Sequence, residues 1–150
     1  MNRQPVMVKN AQVAPLSVLG TEVRFLCEAH ATGGAWSLME VVLPRDSGPP
    51  LHEHDWDEGY YITEGAIEFT VGARSVLAVP GDFLYTPAGM PHAFRGVAGL
   101  SRVLILDVPA HAGKFFKEVD REVTELPREL SKVVEIGARN GIRFGVSPCR

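Results

Sequence analysis

From about Gly20 to Pro109 the chain alternates between short apolar runs and turn residues. The runs are Ser37–Leu43, Gly59–Thr63, Ala66–Val71, Ser75–Val79, Asp82–Thr86, His92–Arg95 and Arg102–Val108. Each is rich in Val, Ile, Leu, Phe or Tyr, and Gly, Pro, Asp or Ser separates most of them. Closely spaced short strands with turn signals predict an all-β sandwich or barrel. No helical pattern interrupts them, which argues against a parallel α/β sheet. After Pro109 the pattern changes. Gly113–Val119 has helical character, and Arg128–Arg139 repeats its apolar residues (Leu130, Val133, Val134, Gly137 and Ala138) at helical steps. Pro127 suits the start of that helix and Asn140-Gly141 its end. The prediction is one domain over 1–150. A barrel core spans about 20–109, and a short helical appendage over about 110–150 packs on its outside. Residues 1–20 read as an edge strand or as an arm reaching a partner subunit.

Composition narrows the function. Apolar residues at 45% and charged residues at 22% place the chain among globular domains. A net charge of −3 gives no bulk attraction to nucleic acid. No apolar run approaches the roughly 18 residues of a membrane span. The first residues lack a basic start and long apolar core, so a cytoplasmic protein is expected. Cys27 and Cys149 form no Cys-x-x-Cys pair and read as ordinary thiols.

The chemistry concentrates in two stretches. The first runs from Gly48 to Gly65 and contains His52, His54 and Glu58; the second runs from Gly81 to Gly96 and contains His92. Residues two apart on a strand point to the same side, so His52 and His54 can both face inward. Glu58 shares their parity if the strand resumes in register after Asp55–Asp57. His92 follows a tight Pro-Ala-Gly turn. Three neutral imidazoles and a carboxylate suit one divalent transition metal per chain, whether Fe, Mn, Ni, Co, Cu or Zn. They also leave open positions for water or substrate. By the same parity Tyr60, Ile62 and Phe94 point inward, while Leu51 and Met90 flank the ligand loops. These five are expected to line a largely apolar substrate site. Phe83 or Tyr85 is expected to join them. Glu53 faces outward, and Arg95 has the wrong parity for the site. Arg102 is a candidate for an inward position. Trp56, between ligands, reads as a packing residue able to shield a metal. His30 and His111 lie outside both stretches.

The spacing His-x-His-x3-Glu-x6-Gly followed by Gly-x5-Pro-x-Gly-x2-His resembles the two motifs of the cupin superfamily. The match covers about residues 46–109 and is nearest to small quercetin-dioxygenase-like cupins. Two positions depart from the motifs: Asp46 stands where the first usually begins with glycine, and Gly96 where the second usually ends with asparagine. The resemblance implies a double-stranded β-helix, a jelly-roll barrel. It makes His52, His54, Glu58 and His92 the metal ligands, and Gly65, Gly81, Pro87 and Gly89 the turn residues. It further implies a homodimer and a metal-dependent dioxygenase acting on a small apolar or aromatic substrate, with Glu58 as general base. A non-oxidative isomerase, lyase or decarboxylase, or a non-catalytic small-molecule-binding module, remains as an alternative, since fold alone does not fix the reaction.

Overall fold

The computed structural model describes residues 3–148. After a 3-10 turn at Asn10–Gln12 come β1 (Leu16–Val18), β2 (Thr21–Cys27), a short helix α1 (Ala29–Thr32) and β3 (Ser37–Pro44). Then follow β4 (His52–His54), β5 (Asp57–Glu64), β6 (Ile67–Val71), β7 (Arg74–Ala78), β8 (Phe83–Thr86), β9 (His92–Gly96) and β10 (Leu100–Val108). The chain ends with α2 (Gly113–Glu122), α3 (Leu130–Arg139) and β11 (Ile142–Phe144). Two antiparallel sheets, in the orders β1-β2-β3-β10-β5-β8 and β11-β4-β9-β6-β7, form a jelly roll. Among the described residues, no helix is long and apolar enough to cross a membrane. Cys149 lies outside the described residues.

Alternation along the strands builds the core. On β10, Ser101, Val103, Ile105 and Asp107 are buried, while Leu100, Leu106 and Val108 are exposed. Met39, Val41 and Leu43 of β3, Tyr60 and Ile62 of β5 and Phe69 of β6 complete the interior. Gly65 makes the β5–β6 turn at a φ of 75°, where a Cβ would lie 2.4 Å from the Leu100 carbonyl oxygen. Asp46 adopts φ 62°, a left-handed conformation that aspartate tolerates better than most residues. Asp46 thus takes a positive φ at the position where the resemblance places a glycine. Gly96 is tightly packed, since a Cβ there would lie 2.9 Å from the Pro44 carbonyl oxygen.

The C-terminal appendage departs from the sequence expectation. It contains the two helices, but it is not simply packed on the outside. After Gly141 the chain turns back as β11 and pairs with β4: Ile142 opposite His54, Arg143 opposite Glu53, Phe144 opposite His52. The physical reason is that β4 meets β9 at a single aligned pair, His52 with His92, and its other edge requires hydrogen-bonding partners. Ile142 and Phe144, alternating with Arg143, put apolar side chains on the face that β4 turns inward. Phe115 and Val119 bury the inner side of α2. The Asp107 carboxylate, itself held by the Ser37 hydroxyl, accepts the Ala112 N–H at 3.1 Å where α2 begins. Asp120 accepts the Ser17 N–H at 2.7 Å and ties α2 to β1.

Candidate metal centre

Three strands deliver the histidines and the carboxylate to one point. β4 presents His52 and His54 on its inner face, and β9 places His92 opposite His52. One ring nitrogen of each histidine falls within 4.8 Å of the others. β5 brings Glu58 beside them: its Oε2 lies 3.3 Å from His54 Nε2 and 3.2 Å from His92 Nε2. All four side chains are buried.

Backbone carbonyls set the imidazole tautomers. His52 Nδ1 donates to the Pro50 carbonyl at 2.8 Å, His54 Nδ1 to Trp56 at 3.0 Å and His92 Nδ1 to Met90 at 2.8 Å. With the proton on Nδ1, each neutral ring keeps its Nε2 lone pair free. In that neutral form the Nε2 lone pairs of His54 and His92 face the Glu58 carboxylate, acceptor against acceptor, and only a proton or a metal cation between them relieves the contact. His54 Nε2 is buried with no hydrogen-bond partner. Such convergence of acceptors is costly unless a cation lies among them. The residues thus fit a mononuclear divalent metal held by imidazole and carboxylate.

The electrostatics favour the ligand forms. Burial, with the neighbouring His92 ring adding to it, lowers the His52 pKa to about 3, so that ring is neutral at pH 7. Burial opposes ionisation of Glu58, but wherever positive charge stands on the His54 and His92 side, their hydrogen bonds and charge outweigh burial and hold its pKa well below the usual carboxylate range. Tyr60 donates its hydroxyl to Glu58 Oε2. Burial, then the Glu58 charge, raises the Tyr60 pKa well above its ordinary value and keeps it a donor.

His52, His54 and Glu58 open onto a cavity of about 50 Å³. Its lining corrects the sequence expectation for several residues. Of the five residues expected around the substrate, Phe94 lines it. Tyr60 and Ile62 have the inward parity but lie deeper, fully buried in the core, because parity sets the side of a strand and not the depth. Leu51 precedes β4 with the parity of Glu53, opposite to the ligands. Met90 turns toward Gly72, where an added Cβ would lie 3.5 Å from its sulfur. Neither lines the cavity. Phe83 and Tyr85 are exposed on the outer face, because Leu84 and Thr86 take the inner positions of β8. Arg102 also points away from the site and pairs with Glu64 at 2.7 Å and Glu40 at 3.5 Å. Arg95 is likewise outside, paired with Asp46 and Glu68. Glu53 points away from the ligands but is not solvated: β11 covers it, and Arg143 binds it at 3.0 Å.

Sequence reasoning missed the wall supplied by the tail. Phe115 and Phe116 of α2 and Ile142 and Phe144 of β11 line the cavity. The alternation of Ile142, Arg143 and Phe144 after Gly141 was the available signal. Trp56 is buried and also lines the cavity, its ring stacked on His54. His111 meets the edge of Trp56 at 5.8 Å and His30 stands in solvent, so neither joins the centre.

Residues 38–109 match the family model for a cupin domain. Over 71 residues the chain is 30% identical to quercetin 2,3-dioxygenase of Bacillus subtilis, which spans 47% of this chain but 21% of that protein. Over 90 residues it is 31% identical to an uncharacterized protein of Streptomyces coelicolor, covering 60% of this chain and 81% of the relative. A predicted oxalate decarboxylase from Thermotoga maritima shares the fold with a TM-score of 0.65 and 22% identity, over 69% of this chain and 99% of that one.

Proposed function

The chain belongs to the cupin family, and from that premise we propose that it is a metal-dependent, dioxygenase-like enzyme acting on a small, largely apolar organic substrate. The observation that carries this reading is the convergence of three buried imidazoles and the Glu58 carboxylate on one point beside an apolar cavity. A divalent metal held by His52, His54, His92 and Glu58 would polarise a substrate oxygen and lower its pKa, which primes an enol or phenol for reaction with dioxygen. The carbonyls of Pro50, Trp56 and Met90 hold the three rings in the ligating tautomer. Phe94 and its apolar neighbours exclude water from the reacting carbon. Glu58, on leaving the metal, would accept the substrate proton as general base, and the Tyr60 hydroxyl orients it.

Elemental analysis of the untagged protein and of the His52→Ala/His54→Ala double variant tests the centre. About one metal per chain, lost in the double variant, is the expected result. A wild-type protein that takes up no metal on reconstitution overturns the reading. Dioxygen uptake with an identified substrate then tests the oxidative reaction, and turnover undiminished in a metal-loaded Glu58→Gln variant removes the base role.

A further inference from the structure

The tail leaves little room at the centre. The space beside the histidines, about 50 Å³, accommodates little more than a few waters. Sites for drug-sized ligands run to roughly 300–1,000 Å³. Three phenylalanines from the C-terminal segment form one wall of that space. The Phe144 ring stands with its centroid 5.7 Å from that of His52 and 6.2 Å from that of Phe115. Phe116 packs edge-on against Phe115 at 5.5 Å and against Phe25 at 5.9 Å.

This wall is tied down along its length. α2 is anchored to β10 through Asp107 and to β1 through Asp120. α3 is joined to α2 through Glu118, which accepts from Arg139 at 3.0 Å and from Asn140 at 2.8 Å. β11 is locked by its ladder to β4 and by Arg143, which binds Glu53 at 3.0 Å and Asp55 at 2.9 Å. Gly137 seats the Phe144 ring: a Cβ there would lie 2.7 Å from Phe144 Cε2. Among the described residues that line the cavity none is lysine or arginine, so the metal ligands dominate its polar character.

We propose that Phe115, Phe116 and Phe144 are specificity-determining residues, and that they restrict the centre to compact, uncharged-bodied substrates anchored through one oxygen-bearing group at the metal. This rests on the metal-dependent reading above and narrows its substrate class. Molecules of the size of a short β-diketone are admitted; fused aromatic molecules of flavonol size are excluded.

The test uses the full chain loaded with Co(II), whose visible absorption changes when a ligand enters its coordination sphere. Azide, a short β-diketone and a flavonol are titrated separately. The wild type is expected to respond to azide and the diketone and not to the flavonol. Phe116→Ala and the milder Phe144→Leu, each with an intact melting transition, are expected to gain at least about tenfold in flavonol affinity while still responding to azide. A wild type that binds the flavonol as tightly as the diketone overturns the proposal while leaving the metal reading intact. Folded, Co(II)-loaded variants that still exclude the flavonol also overturn it. A wild type that takes up no Co(II) overturns the metal reading and the proposal together.

Discussion

The indole ring of Trp56 lies parallel to the imidazole of His54, 3.9 Å away and 6° from coplanar, while its carbonyl accepts the His54 Nδ1 proton at 3.0 Å. One residue thus fixes both the plane and the tautomer of a ligand two positions earlier. Trp56→Ala keeps the carbonyl but removes the stack. It is expected to weaken metal affinity about tenfold to a hundredfold, the usual effect of losing a group that orients a ligand. Trp56→Phe should restore most of it. A competition titration against a metal-binding dye reads the difference, and equal affinities for wild type and Trp56→Ala would show that the stack is passive.

Acid should destabilise the metal-free protein. The His52 pKa is about 3 when folded and 6.5 in the ordinary state. Between those values the unfolded chain binds more protons at this position than the folded one. His52 therefore makes stability rise with pH across that window and adds no further slope above it. The contribution is on the order of 1.4 kcal/mol per pH unit at most. Urea unfolding of the chelated protein at pH 7 and pH 4.5 measures it, and His52→Gln should flatten the slope. In the loaded protein protons compete with the metal for the same nitrogens, so metal affinity should fall as the solution is acidified.

Arg143 links the tail to the metal strand. Its guanidinium is half-exposed, but its partner Glu53, between two ligands on β4, is 1% exposed. Arg143→Ala removes a charged partner from a buried carboxylate. It is expected to cost about 1–3 kcal/mol of stability. Because β4 carries His52 and His54, metal affinity should fall with it. Arg143→Lys should recover part of both. Unchanged metal affinity in a destabilised Arg143→Ala variant would separate the tail from the centre.

Pairing with a second copy is the expected oligomeric state. The outer face around the edge strand β8 exposes Tyr61, Phe83, Tyr85 and Leu106. Tyr61 lies opposite Phe83, and Gly59 lies between Tyr85 and Leu106, so the four form one patch. A contiguous apolar patch beside an unpaired strand edge is costly in a monomer. Light scattering should report twice the 16.4 kDa chain mass, and Phe83→Asp should return a monomer. A monomeric wild type would contradict the pairing.

What could be read without the fold was local. Short apolar runs bounded by turn residues placed β3, β5, β6, β9 and β10 within a residue or two, because strands are brief and the turns between them need Gly, Pro, Asp or Ser. Parity likewise put His52, His54 and Glu58 on one side, since side-chain direction along a strand is a property of the backbone; the family resemblance added His92, which reaches them through the pairing of β9 with β4. The tertiary structure decided what depends on partners. The alternation of Ile142, Arg143 and Phe144 is too short to predict a strand by itself, and the segment becomes one because β4 offers it an edge. Glu53 has the outward parity expected of a solvated acid, yet β11 covers it. Tyr60 and Phe94 share an inward direction, but one is core and the other cavity wall, because depth depends on what lies across the sheet. The size of the cavity is set by α2 and β11 meeting strands more than sixty residues away in the chain. No local preference encodes that distance; only long-range packing supplies it.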